Sequence, residues 1–269
     1  MIKLLELFGG IGACSKALER LGIDYEVVDY VEIDKYAVKS FNAIHNTNFE
    51  PQDIRKWDKN IEVDLIMHGS PCQDYSIAGK QAGGDKDSGT RSSLMYETIR
   101  IVKSLKPKYV IWENVKNLLS PKHRHNFDAY LETMEQIGYT NYYQVLNAKD
   151  YGIPQNRERV FTVSIRKDIN KVFEFPPKQE LKLRLKDILE DNVEEKYFLS
   201  ESILKNINSI HLSESITDVY DIKQVAQMYG TKREPNPQAG RIYDPNGISP
   251  TMDSCSGGNR MPKVLLNKE

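Results

Sequence analysis

At 269 residues the chain is long enough for one large domain or two modest ones with a real core. Its composition, 39% apolar and 28% charged with a mean hydropathy of −0.56, marks a folded, hydrophilic protein, and no run approaches the ~18–20 apolar residues that cross a bilayer. Cys14, Cys72 and Cys255 form no CxxC pair and lie far apart, which argues against a disulfide scaffold or structural zinc site and favours a reducing, cytoplasmic location. The net charge of −1 argues at first sight against a polyanionic partner.

In chain order, Ile2–Leu7 is a short apolar strand that runs into the glycine turn Phe8-Gly9-Gly10-Ile11-Gly12. The opening segment carries no cleavage-site pattern, so no signal peptide is expected. A helix follows with Ala13, Ala17, Leu18 and Leu21 on one face, closed by Gly22. Tyr25–Ile33 reads as a second strand, and Tyr36, Val38, Phe41 and Ile44 lie in a second helix. Val63–Met67 is a third strand, bounded by Gly69-Ser70-Pro71. Leu94–Leu105 predicts a helix, Tyr109–Trp112 a buried strand, and Phe127–Ile137 a helix ended by Gly138. Strand and helix alternating at this spacing predict an α/β fold with a mostly parallel sheet covered on both faces.

From about residue 167 the periodicity fails. Pro176-Pro177, Glu234-Pro235-Asn236-Pro237 and Asp244-Pro245-Asn246-Gly247 punctuate a turn-rich stretch. This predicts two domains, 1–169 and a smaller, irregular 170–269. Charge is uneven across them. Residues 149–186 carry a surplus of +5 and 222–269 of +3, against −2 in 1–148 and −7 in 187–221. Neutrality is therefore a cancellation, and phosphate binding follows local patches rather than the total. On charge alone the two positive stretches read equally well as solvated surface.

Glycines between a first strand and a helix let a ligand approach the backbone at the carboxyl edge of a parallel sheet. Gly10-Ile11-Gly12-Ala13-Cys14-Ser15 is two-thirds of a dinucleotide fingerprint, with Ser15 where the third glycine would stand. Glu32 follows 20 residues after Gly12, placed to grip ribose hydroxyls, and Asp53-Ile54 suits an adenine edge. An adenosine-bearing cofactor is expected; the turn does not choose between a nicotinamide and S-adenosylmethionine. Cys72 leaves the third strand behind Pro71, which fixes the approach of the chain. A thiol in that polar loop is expected to be exposed, with the glycine-rich Gly79–Thr90 stretch as a lid. Cys14 and Cys255 read as space-filling, and His68 as structural rather than a base for Cys72. Glu113 ends another core strand, where burial can raise a carboxyl pKa. Gln155-Asn156-Arg157-Glu158-Arg159 sets two guanidiniums at i and i+2 on an extended segment before Val160–Ile165.

Taken in order, Phe8-Gly9-Gly10-Ile11-Gly12, Glu32, Asp53-Ile54, Pro71-Cys72-Gln73, Glu113-Asn114-Val115 and Gln155-Asn156-Arg157-Glu158-Arg159 strongly resemble the DNA (cytosine-5)-methyltransferases over residues 4–165. The resemblance implies a Rossmann-like S-adenosylmethionine-dependent methyltransferase sheet with a small target-recognition domain, acting on double-stranded DNA. It implies that Cys72 attacks C6 of a flipped-out cytosine and that Glu113 holds N3 and the exocyclic amine. Arg159 would contact O2, and Arg157 would position the nucleotide. Phe8, Gly10, Gly12, Glu32, Ile33, Asp53 and Ile54 would hold the cofactor, while Gln73, Ser76, Arg91, Gln155 and Arg241 would face DNA. No metal is implied. Glu6 stands where many members have Asp. Gly240-Arg241-Ile242-Tyr243 through Thr251 looks like part of a recognition region. Gly257-Gly258-Asn259 is not the family's closing motif, since Arg260-Met261-Pro262 follows. That departure leads the sequence to predict a second subunit supplying the missing motifs, in a restriction-modification or phage modification system. The alternatives are a catalytically silent or truncated homologue acting as a DNA-binding protein, an RNA cytosine-5 methyltransferase and, disfavoured by the Cys72, Glu113 and Arg159 set, a nicotinamide oxidoreductase.

Overall fold

A computed structural model describes residues 1–72, 75, 85, 89–201, 208–209, 221–228, 240–252 and 261–266. Chain contacts divide it into two units, residues 1–146 with 159–176, and 147–158 with 177–269.

The first unit holds a six-stranded sheet in the order β2-β1-β3-β4-β6-β5. Its strands are β1 (Ile2–Leu7), β2 (Tyr25–Val31), β3 (Leu65–His68), β4 (Tyr109–Val115), β5 (Tyr139–Asn147) and β6 (Glu158–Arg166). Four helices accompany them: α1 (Ala13–Arg20), α2 (Lys35–His45), α3 (Met95–Leu105) and α4 (Arg124–Gln136). β2, β1, β3 and β4 are parallel, with Leu7 level with Val31 and His68, and His68 level with Trp112. Their carboxyl ends thus share one edge, from which the glycine turn, Glu32, the Cys72 loop and Glu113 all emerge.

The period-2 alternation of β1 sorts its side chains between two layers. Leu5 and Leu7 join Ile66, Val110 and Trp112 against Met95, Ile99 and Val102 of α3 and Phe127, Tyr130 and Met134 of α4. Leu4 and Leu65 face the other way, against Leu18 of α1. α2 lays Val38 and Phe41 on Tyr30, whose ring stacks on Phe41 at 3.9 Å. By the same alternation Glu6, Met67 and Glu113 share the α1 side of the sheet.

The sheet is mostly parallel, as expected, with one strand reversed: β6 runs antiparallel to β4, with Val115 opposite Arg159. Ala148 N–H donates to Arg157 C=O at one end of the β5–β6 pair and Lys167 N–H to Gly138 C=O at the other, so these two are antiparallel as well. No crossover helix separates them, and a parallel pair needs one. One expectation is corrected, the face of α1: Ser15 and Leu18 are buried, while Leu21 is 73% exposed. The helix is turned so that the Ser15 hydroxyl can donate to Glu6.

The second unit carries a four-stranded sheet ordered β10-β9-β8-β7 from β7 (Asn208–Ser209), β8 (Gln224–Gln227), β9 (Arg241–Tyr243) and β10 (Lys263–Val264). Strands this short leave no periodic trace in the sequence. Ile242, Tyr243, Ile248, Leu181 and Leu185 are buried within the unit. The Asp244–Gly247 turn is closed by Gly247 N–H donating to Asp244 C=O at 3.1 Å. Among the described residues no helix is long and apolar enough to cross a membrane.

Candidate functional site

The glycine turn is built on left-handed backbone. Phe8, Gly10 and Gly12 have φ of 54°, 54° and 87°, conformations that cost a side-chain-bearing residue roughly 1–2 kcal/mol. A side chain on Gly9 would lie 2.5 Å from the Tyr30 ring, and one on Gly12 would overlap His45, whereas around Gly10 nothing stands within 4 Å. The 4 Å of open space at Gly10 is on the side a Cβ would occupy, so the turn packs tightly at Gly9 and Gly12 and is open there at Gly10. On its other sides Gly10 N–H donates to Glu32 Oε2 at 3.1 Å, and the Tyr30 hydroxyl donates to Gly10 C=O at 2.5 Å. Glu32 also accepts from Asp34 N–H at 2.9 Å. A carboxylate has about four acceptor positions, so Glu32 can take ribose hydroxyls as well. Ile33 beside it is 65% exposed, an apolar surface left for a ring.

Under the turn lies a buried carboxyl. Glu6 Oε2 accepts from the Ser15 hydroxyl at 2.5 Å. Burial pushes the Glu6 carboxyl above the usual carboxylate range, with the Ser15 hydroxyl and the Ser15 and Cys14 backbone N–H groups pulling it partly back. Burial, with Glu6 and Glu113 nearby, pushes the Cys14 thiol up, so it stays protonated.

Asp53 caps the turn 54–56, accepting from Arg55 N–H at 3.0 Å, and its carboxylate is clasped by the Arg55 guanidinium at 2.6 Å. Ile54 is buried. This segment is tied to β2 through Asp29, which is 3% exposed. Asp29 accepts from Gln52 Nε2 at 2.8 Å, Trp57 Nε1 at 2.8 Å and Lys59 Nζ at 2.7 Å. The network fixes Gln52–Lys59 beside the strand that ends at Glu32. The bare Gly10 face, the remaining acceptor capacity of Glu32 and the Asp53 carboxylate fit an adenosine-bearing cofactor.

At the end of β3, Cys72 is half-buried. Gly69 sits against Glu113, whose Oε2 would be 3.6 Å from an added Cβ. Glu113 Oε1 pairs with Arg159 Nε at 2.9 Å, and these side chains are 34% and 16% exposed. β4 delivers the carboxylate and β6, running the other way, delivers the guanidinium to the same edge. His68 is fully buried, stacks on Trp112 at 5.7 Å, and burial holds its pKa down to about 3. A neutral, enclosed imidazole is no base for Cys72.

Not all expected site residues meet here. Arg157 and Gln155 belong to the second unit, where Gln155 Nε2 donates to Pro250 C=O at 3.2 Å and Arg157 N–H to Asn147 Oδ1 at 3.0 Å. Arg241 lies half-buried in β9. Arg91 is exposed at the start of the turn leading into α3. Gln73, Ser76, Cys255, Gly257-Gly258-Asn259 and nearly all of 79–88 lie outside the described residues. The sequence reading gave no role to Ser70, Tyr75, Asn114 and Asn117, which bond on either side of Cys72, nor to Asp29 behind the adenine-side segment. Asn117, three residues after Asn114 on the turn that ends β4, was the one legible cue.

A family model described as C-5 cytosine-specific DNA methylase matches residues 2–267. The orphan methyltransferase M.SPRI of Bacillus phage SPR is 33% identical, with 95% of this chain and 64% of that protein aligned. The type II methyltransferase M2.ScrFI of Lactococcus lactis subsp. cremoris is 36% identical over 75% of this chain and 71% of its own length. The type II methyltransferase M.HhaI of Haemophilus parahaemolyticus is 32% identical over 96% and 75%. The chain thus spans less than two thirds of the phage SPR relative. Among solved structures, the Dnmt2 methyltransferase of S. pombe superposes with a TM-score of 0.64 over 100% of this chain and 77% of that one, at 17% identity, which shows the fold.

Proposed function

This chain belongs to the C-5 cytosine-specific DNA methylase family, whose methyl donor is S-adenosyl-L-methionine, and from that premise we propose that it methylates C5 of a cytosine flipped out of duplex DNA. The Glu113–Arg159 pair, at the sheet edge where the Cys72 loop and the glycine turn emerge, is the observation that carries the reading.

The chemistry follows from that edge. The Cys72 thiolate adds to C6, forming an S–C bond and moving the ring electron pair toward C5. Glu113 keeps N3 protonated and accepts from the exocyclic amine, which stabilises the electron-rich ring. One Glu113 oxygen can hold Arg159 while the other receives the base. Arg159 donates to O2, where charge gathers during addition. When bound, S-adenosylmethionine supplies an electrophilic methyl group to C5. A base then takes the C5 proton, the S–C6 bond breaks, and Cys72 leaves as thiolate. Phe8, Gly10, Gly12, Glu32, Ile33, Asp53 and Ile54 would hold the cofactor, and Gln73, Ser76, Arg91, Gln155, Arg157 and Arg241 would serve the nucleic acid. The phage and type II names of the relatives support a place in phage modification or restriction-modification.

The test is transfer of a labelled methyl group to duplex DNA and, in parallel, to RNA. Label on DNA cytosine, lost in Cys72→Ser while cofactor binding persists, is the expected result. Turnover by Cys72→Ser refutes the covalent step, and labelling of RNA alone reassigns the substrate. Full turnover by the 269-residue chain unaided would remove the expectation of a second subunit.

A further inference from the structure

Cys72 is bracketed on both sides by side chains from one stretch of chain, β4 and the turn that continues it. On its N-terminal side Ser70 is 3% exposed. Its hydroxyl accepts from Trp112 Nε1 at 2.9 Å, and its carbonyl accepts from Asn114 Nδ2 at 3.2 Å. On its C-terminal side Tyr75 is wholly buried, packed edge-on to His123 at 5.4 Å. Tyr75 lies in a turn and its N–H donates back to Cys72 C=O at 2.9 Å. The Tyr75 carbonyl in its turn accepts from Asn117 Nδ2 at 2.6 Å. Trp112 and Asn114 stand on β4, and Asn117 stands on the turn 116–119 that continues it, itself pinned by fully buried Leu118. The strand that supplies the first bracket and runs into the turn that supplies the second also carries Glu113.

We propose that Asn117 is a positioning residue, holding the Tyr75 end of the turn so that the Cys72 sulfur stands at a fixed distance from Glu113. The physical reason is leverage. Pro71 and Ser70 fix how the chain arrives at Cys72, but the direction in which the thiol points depends also on where the chain leaves. One part-buried hydrogen bond from the turn 116–119 sets that departure. Losing it costs modest stability, because Tyr75 stays enclosed by its ring packing, whereas nucleophilic attack is steep in placement. A displacement of about 1 Å can cost about a hundredfold in rate.

The inference rests on Cys72 being the nucleophile, so the experiment pairs two variants of the full chain. Methyl transfer is measured per cofactor-binding site, titrated with S-adenosylmethionine, together with the rate at which a small alkylating reagent modifies Cys72. Asn117→Ala is expected to lower kcat per site about ten- to a hundredfold and to change Cys72 alkylation. The KM for S-adenosylmethionine is expected to stay within about twofold, because no cofactor-side group is touched. A merely structural role would instead reduce the number of binding sites and leave kcat per site alone. Should Asn117→Ala not fold, the near-isosteric Asn117→Asp, which faces the Tyr75 carbonyl with an acceptor, carries the same expectation. Cys72→Ser without activity and Asn117→Ala at the wild-type rate per site would overturn the positioning role alone. Cys72→Ser retaining activity would overturn the nucleophile assignment, and the positioning role with it.

Discussion

Replacing Asp29 by Ala probes the network that joins β2 to the Gln52–Lys59 segment. Its three side-chain donors lose their acceptor, but unequally. Gln52 keeps a bond to the Tyr30 carbonyl at 2.7 Å, so its loss is small. Lys59, with its side chain 51% exposed, regains water, and the pair contributes about 0–1 kcal/mol. Trp57 is only 4% exposed, and its indole N–H would be stranded at about 1–3 kcal/mol. The sum is about 1–4 kcal/mol, or roughly 2–16 °C in Tm for a domain of this size. Urea and thermal unfolding measure it. Trp57→Phe removes the stranded donor, so the double variant should cost less than the two single ones together. Burial alone would raise the Asp29 pKa, but the bonds from Lys59, Trp57 and Gln52 outweigh it and hold the carboxyl below its usual range. The stability it confers is present above about pH 4 and lost as pH falls through the lowered native value, so Asp29→Asn should flatten the acid limb below about pH 4. A loss under about 1 kcal/mol in Asp29→Ala, or an equal loss in Lys59→Ala, would refute this reasoning.

The buried Glu6 should give the opposite pH signature. Its native carboxyl pKa is raised, chiefly by burial, so its contribution is fully present below about pH 4.3 and fades as pH rises through the native value. The Tm of Glu6→Gln relative to wild type should therefore rise between about pH 4.5 and 8, and a constant difference would contradict this. Gly12→Ala, with φ of 87° and His45 against it, should lower Tm by more than Gly10→Ala, where only backbone strain applies. Equal losses in the unliganded chain would show that the turn is not packed as described.

The parallel half of the sheet was legible because its strands are covered on both faces and read as short apolar runs. Ile2–Leu7 and Tyr109–Trp112 are such runs, and the turns after them are marked by glycine and proline. β5 was not legible. At the sheet edge, Tyr139–Asn147 is mostly half-exposed and mixes Tyr, Thr, Asn and Gln without alternation. It pairs with β6, the one reversed strand, at the edge of the sheet. The face of α1 was misread because the expectation counted only apolar residues, whereas a serine is buried there to meet Glu6. The groups that carry chemistry stood out as rare residue types beside strand ends. Asp29 and Asn117 act through hydrogen bonds between residues far apart in sequence, and no periodicity records such bonds.

The central claim is a covalent bond between Cys72 and C6 of cytosine. A duplex carrying 5-fluorocytosine at the target blocks the last step, because fluorine cannot leave C5 as a proton does. Incubated with S-adenosylmethionine, the protein should form a DNA complex that survives denaturation, with the added mass on the peptide containing Cys72. The complex should be absent from Cys72→Ser. Methyl transfer to ordinary cytosine by a preparation that forms no such complex would contradict the account.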